Sequence, residues 1–124
     1  MEVFFDNERP IYLQLKEKIK IMIISGKYQL GEKLPSVRDL ALLVKVNPNT
    51  VLKALTELEE EKLIITERTN GKYVTNDKKL IEMIKRDLSK DIIKKYLHDM
   101  NNLGIDYNDA IKYLREEGEK KWPY

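Results

Sequence analysis

Residues 36–58 read SVRDLALLVKVNPNTVLKALTEL, and this stretch constrains the fold more than any other. Val37, Leu40, Ala41 and Val44 recur at helical spacing and make one apolar face. Ser36 precedes them and Asp39 follows it three residues later, a capping-box-like start. Val46, Asn47 and Pro48 then break the pattern; Asn47 suits an N-cap and Pro48 the first helical position. The second helix buries Val51, Ala54, Leu55 and Leu58 and turns Asn49, Leu52, Lys53 and Thr56 outward. Short polar and basic residues near a helix N-terminus, after such a turn, are what major-groove readout needs. An ordinary helical hairpin carries the same two stripes, so this stretch alone leaves both readings open.

The next segment favours the first of them. Leu63, Ile64, Ile65 and Thr66 are apolar or β-branched, and Lys72, Tyr73, Val74 and Thr75 have strand character. Between them Glu67, Arg68, Thr69, Asn70 and Gly71 contain Asn-Gly, a strong hairpin signal. Helix, helix, hairpin is the order of a winged helix-turn-helix. Such a wing sets Arg68 and Lys72 beside a phosphate backbone or in a minor groove. A solvated hairpin with a charged tip is the plainer reading of either residue.

At this point the residues resemble a known family. Residues 10–15 (PIYLQL), Gly26, Lys27, Tyr28 and Gly31, then residues 34–41 (LPSVRDLA), look like the GntR family of bacterial transcription regulators. Residues 46–51 (VNPNTV), with Lys53, Ala54, Glu57, Leu58 and Glu59, are similar to its YtrA-like branch. The match covers roughly residues 10–75 and rests on several spaced motifs in the right order. The resemblance implies a dimer, a phosphate-binding role for Arg38, and control of a nearby operon, often one encoding a transporter. Two departures stand out. Lys62 sits where the family usually has Gly after the recognition helix, and a left-handed conformation there costs about 1 kcal/mol. Thr69 replaces the first Gly of the family's Gly-x-Gly wing tip.

The expected DNA-facing set is Lys33, Ser36, Arg38, Asn47, Asn49, Thr50, Leu52, Lys53, Arg68, Asn70, Gly71 and Lys72. The Asn49 amide can pair with adenine N6 and N7; Leu52 offers a patch for a thymine methyl, or else packs partly buried. Thr50 and Lys53 can hold phosphates, and Arg38 lies in a first helical turn, where side chain and helix N-terminus both favour an anion. The net charge of +2 is a weak argument for nucleic acid, but its distribution is not. Lys33, Arg38, Lys45 and Lys53 face Asp39 alone across residues 33–53, whereas Glu57, Glu59, Glu60 and Glu61 gather at the far end of the recognition helix.

The 124 residues leave room for one modest domain and an appendage. Cysteine is absent, which excludes disulfides and thiolate metal sites. The most apolar patch, residues 19–24, is too short and interrupted to span a bilayer, and MEVFFDNERP lacks the positive start of a secretion signal. A cytoplasmic protein with no membrane partner is expected. His98 beside Asp99 is a lone helical histidine, more often a surface or dimer-face residue than a ligand or base. No catalytic set, metal site or cofactor is expected.

A first helix starts at Pro10 and ends near Ser25 and Gly26, with Tyr12, Leu15, Ile19, Met22 and Ile23 as its core stripe. Before it, Val3, Phe4 and Phe5 can add a strand or cover a neighbour's surface. After residue 75 a long helical pattern over 79–103 carries Ile81, Ile84, Leu88, Ile92, Tyr96, Met100 and Leu103 near one stripe, widened by Ile93 and Leu97. Gly104 ends it, and Asp106 caps a second helix with Ala110, Ile111 and Leu114. Two helices cannot bury that stripe between themselves. Ile81, Ile84, Leu88, Ile92, Tyr96 and Met100 are therefore assigned to a homodimer interface; folding back onto the winged domain is the alternative. Helices this short leave little room for an enclosed pocket, so a small-molecule effector, of unreadable identity, would sit between subunits or near the reading domain.

The fold class expected is α+β, mainly α: a winged helix-turn-helix over residues 1–75, then a two-helix dimerisation segment over residues 76–124. The function expected is sequence-specific regulation of transcription by a homodimer on a palindromic double-stranded DNA operator, repressing by occupancy. A winged module that binds protein is the competing reading, and a small enzyme or ligand-binding domain a more distant one.

Overall fold

The computed structural model describes residues 3–124. Among them, α1 (Ile11–Ile24), α2 (Val37–Val44), α3 (Pro48–Glu60), β1 (Ile64–Glu67), β2 (Gly71–Val74), α4 (Lys78–Asn102) and α5 (Tyr107–Lys121) follow in order. The class is the expected one, mainly helical with one two-stranded antiparallel sheet. The chain forms two compact units whose boundary lies between Ile84 and Lys85, later than the 75/76 boundary expected from sequence. The reason is packing. Ile81 is only 7% exposed in the core of the first unit, and Leu80 and Ile84 pack half-buried against it. The opening turns of α4 thus belong to the N-terminal unit.

In that unit, α1 contributes Leu15, Ile19 and Ile23, and α3 contributes Val51, Ala54, Leu55 and Leu58. Each buried leucine or isoleucine is worth about 1.5–3 kcal/mol, so these faces hold the helices together. Gln14 is the polar exception in α1. Its side-chain oxygen accepts from the Asp6 amide at 3.0 Å, and its nitrogen donates to the carbonyls of Asp6 and Arg9 at 3.0 and 2.8 Å. That clamp anchors the entering chain. Val3 and Phe5 lie on this chain's own core and form no strand, while Phe4 points outward.

The helix boundaries follow local chemistry. The Ser36 hydroxyl accepts from the Asp39 amide at 3.1 Å at the start of α2. Asn47 caps α3 through its side-chain oxygen and the Asn49 amide at 2.8 Å, with Pro48 at the first helical position. Lys45, between the two helices, adopts a left-handed conformation with φ 56°. Lys62 does the same after α3, at φ 67°. Around it the Leu63 amide bonds to the Leu58 carbonyl at 3.0 Å and the Lys62 amide to Glu59 at 2.9 Å. This is a Schellman closure, made at the position expected to need Gly.

The strands lie one residue away from their expected positions. Register pairs Ile64 with Val74, Thr66 with Lys72 and Glu67 with Gly71. Residues 68–70 form the loop, closed by an Asn70 amide to Glu67 carbonyl bond at 3.3 Å. The left-handed position falls on Gly71, φ 104°, so Thr69 occupies ordinary backbone and its departure from the family pattern strains nothing. Residues 31–34 run along the other edge of β2. There the Leu34 amide bonds to the Lys72 carbonyl at 2.9 Å and the Val74 amide to Glu32 at 2.9 Å.

The second unit is the remainder of α4 with α5. Gly104, φ 78°, ends α4, and Asp106 caps α5 by accepting from the Asp109 amide at 2.8 Å. Ala110 is buried and receives a 2.7 Å bond from the Tyr96 hydroxyl to its carbonyl. Most other apolar side chains here are open: Ile92 is 71% exposed, and Ile93, Leu103, Tyr107 and Leu114 are exposed too.

Candidate nucleic-acid interface

The reading helix separates two kinds of polar residue. At its N-terminal end Asn49, Leu52 and Lys53 are exposed and Thr50 is half-buried. The Asn49 and Thr50 side chains make no hydrogen bond within the described chain, so both keep their capacity for a partner. Leu52 is 45% exposed, which fits an outward apolar contact better than a packing role. Lys53 leans back: its ammonium sits 3.9 Å from the centre of the Tyr12 ring on α1.

At the opposite end Glu57 and Glu61 are occupied. Lys16 on α1 bonds Glu57 at 3.3 Å and Glu61 at 2.7 Å, and Lys20 bonds Glu61 at 2.9 Å. Burial opposes charge on Glu61, but the two lysines outweigh it and hold the carboxyl below its usual range. Hydrogen bonding to Glu61 raises the Lys16 ammonium above its usual value. These acids therefore tie α3 to α1. The signal was present in sequence as i,i+4 spacing of Lys16 with Lys20 and of Glu57 with Glu61 on facing helices, but it becomes legible only once the helices are paired.

Around the N-terminal end of α3 the remaining candidates fall as follows. Arg38 is exposed in the first turn of α2 and makes no ion pair or hydrogen bond with Asp39 or any glutamate among the described residues. Ser36 and Asn47 are spent on helix capping, so they order the two helices. The Lys33 stem lies over Gly71 beside the wing tip, 3.4 Å from where a Cβ would stand. Arg68 is exposed in the hairpin loop without an internal partner, and Asn70 reaches Glu67 only at 3.5 Å.

Lys72 departs from expectation. Strand alternation puts it on the same face as buried Val74, so it points to α3 and not outward. Its ammonium lies 3.5 Å from Glu59 and 2.9 Å from the Thr66 hydroxyl. Ile81 departs likewise, being buried in the first unit and unavailable to a second chain. Ile84 is partly buried there as well. Leu88, Tyr96 and Met100 are half-buried and Ile92 is open. Ile92, Ile93, Tyr96, Leu97, Tyr107, Ile111 and Leu114 line an open apolar groove of about 360 Å³ in the second unit. No group of three or more His, Asp or Glu among the described residues could hold a metal ion, and no helix among them is long and apolar enough to cross a membrane.

Residues 11–74 match bacterial regulatory proteins of the gntR family. The chain is 37% identical over 109 residues to the HTH-type transcriptional repressor YtrA of Bacillus subtilis (strain 168), covering 86% of this chain and 83% of that protein. A GntR family transcriptional regulator from Listeria monocytogenes shares the fold with a TM-score of 0.83 at 40% identity, over 90% of this chain and 98% of that one. AraR(DBD), solved in complex with an operator, matches with a TM-score of 0.56 at 26% identity, over 60% of this chain and 95% of its own.

Proposed function

This chain belongs to the GntR family of bacterial regulatory proteins, DNA-binding regulators of transcription and not enzymes, and from that premise we propose that it represses transcription as a homodimer on a two-fold symmetric operator. The observation that carries the reading is the sorting of polar groups on the first unit. Lys16, Lys20, Lys72, Glu57, Glu59 and Glu61 are all paired internally, whereas Arg38, Asn49 and Arg68 are exposed without partners. Exposed guanidinium groups and an exposed amide that no internal partner occupies are suited to phosphates and base edges. In this reading Asn49 and Leu52 contact bases from the major groove, Arg38 and Thr50 hold phosphates, and Arg68, Asn70 and Gly71 approach the flanking backbone. Lys33 supports the wing tip, and Lys53 adds charge from its place over Tyr12.

The homodimer is supported by the second unit, where so little is buried that the helical pair has almost no core of its own. In this reading its open apolar face, Ile92 with Ile93, Tyr107 and Leu114, meets a second copy about a two-fold axis. YtrA of Bacillus subtilis carries the name repressor, which supports repression by operator occupancy here. Control of a transporter operon rests on the YtrA-like resemblance alone, and action in the cytoplasm goes with a role on DNA.

Randomised-site selection on the full chain tests the reading. It is expected to return an inverted repeat, and Asn49→Ala to weaken binding by about 1–3 kcal/mol and relax preference at one position per half-site. An unaltered consensus for the variant would remove Asn49 from base reading. A chain that selects no sequence and instead captures protein would favour the protein-binding alternative.

A further inference from the structure

The inward face of the hairpin carries a polar cluster that the reading surface does not use. Ile64, Thr66, Lys72 and Val74 share this face by register, and Ile64 and Val74 are buried. Lys72 donates to the Thr66 hydroxyl at 2.9 Å and to Glu59, in the last turn of α3, at 3.5 Å. The Thr66 hydroxyl, and then Lys72, hold the Glu59 carboxyl below its usual range against the opposing effect of burial. Glu59 at the end of the recognition helix thus pairs with Lys72 on β2, and Lys72 in turn bonds Thr66 on β1.

A two-stranded hairpin is marginal by itself and takes its pose from what it packs on. Ile64 and Val74 fix its base. Thr66 and Lys72 are the next inward pair toward the loop, so the contacts from Thr66 through Lys72 to Glu59 tie the outer half of the hairpin to α3. It also holds a cation inward. Released, that ammonium would be free to neutralise a phosphate of any duplex, raising affinity for all sequences and discriminating among none.

We propose that Glu59, Thr66 and Lys72 form a latch that sets the pose of the wing against the recognition helix and withholds Lys72 from phosphate, making Glu59 a specificity-determining residue. The latch rests on the DNA-reading function proposed above. Glu59 and Lys72 are positioning residues and touch no base.

The experiment uses the full chain with Glu59→Gln, Lys72→Gln, the double variant and Thr66→Val. The probes are a duplex of the sequence selected by the wild type and a scrambled duplex of the same composition, titrated across salt. Hydrogen exchange of the amides at 68–73, without DNA, reads the latch directly. Glu59→Gln is expected to steepen the salt slope by about one unit on both duplexes and to lower the operator-to-scrambled ratio about tenfold. Lys72→Gln should lower the ratio without changing the slope, and the double variant should resemble it, because the partners act as one. Thr66→Val, nearly isosteric, should speed exchange at the wing as the other variants do. A salt slope about one unit shallower for Lys72→Gln would overturn the proposal by making Lys72 a phosphate contact. Unchanged ratio and unchanged exchange in Glu59→Gln would overturn it by making the pair ornamental. A wild type that prefers no duplex fails the regulator reading itself; slow wing exchange lost in Glu59→Gln would then leave the latch as a structural device without a specificity role.

Discussion

Arg38 shows how much a single side chain can decide. It sits exposed in the first turn of α2 with Asp39 beside it, yet the two make no ion pair. An exposed pair there would contribute at most about 1 kcal/mol, so losing the arginine should hardly affect stability. In the proposed reading its value is toward an anion, where the guanidinium and the helix N-terminus act together. Arg38→Ala is therefore expected to weaken binding to operator and random DNA alike and to lower the salt slope by about one unit, with the melting temperature little changed. Salt-dependent titration beside a thermal melt separates the two effects; a destabilised variant of unaltered affinity would return Arg38 to a structural role. Lys72 makes the contrasting case. It has the same charge and lies on the wing, but alternation along β2 points it at Glu59.

At the scale of elements, α3 is held at both ends by different chemistry. Its C-terminus closes through Lys62 in a left-handed conformation that a side chain disfavours. Lys62→Gly is expected to stabilise the fold by about 0.5–1 kcal/mol, the relief of strain exceeding the flexibility gained by the unfolded chain. Chemical denaturation measures it, and a loss of stability would mean that the lysine stem packs usefully. The α1–α3 clamp makes stability depend on pH in a definite direction. The Glu61 carboxyl is depressed in the folded chain, so its contribution is present above the usual glutamate range and is lost as pH falls through the folded value. The Lys16 ammonium is raised, so its contribution is present below the usual lysine range and is lost as pH rises through the folded value. Between those limits the clamp is intact. Glu61→Gln should lower stability at neutral pH and flatten its acid limb, and melts from acid to neutral pH check this. A variant as pH-sensitive as the wild type would place the acid transition elsewhere.

At the scale of the whole molecule, the two units differ in how well each is filled. The first has a continuous core from Leu15 to Ile81; the second buries Ala110 and leaves Ile92 71% exposed. An apolar face of this kind needs a cover. Ile92→Glu is expected to give a folded monomer, because the residue is open in the single chain and a charge there can be solvated. Operator affinity should fall strongly, since two reading helices joined in one particle gain by effective concentration what one alone lacks. Sedimentation and gel shift on the same samples decide the matter. A dimeric variant, or a monomer that holds the operator as tightly as the wild type, would give the tail another role.

What the sequence by itself determined were features encoded within a few residues: helix periods, the Ser36 and Asn47 caps, the Pro48 start, the Gly104 stop and the hairpin order. Those signals are local, and so the helix-turn-helix, its wing and the outward residues Arg38, Asn49 and Leu52 could be read directly. The GntR resemblance also marked Lys62 as a lysine where the family usually has glycine, and the structure gives it a left-handed backbone. Only the tertiary structure decided what depends on which elements meet. It turned Glu57 and Glu61 into a clamp on α1, turned Lys72 inward, drew Ile81 into the first unit and used Gln14 to hold the entering chain. The physical reason is that a charge or a leucine carries no record of its partner. Burial and pairing are properties of two surfaces, and for Lys20 and Glu61 the second surface lies forty-one residues away along the chain.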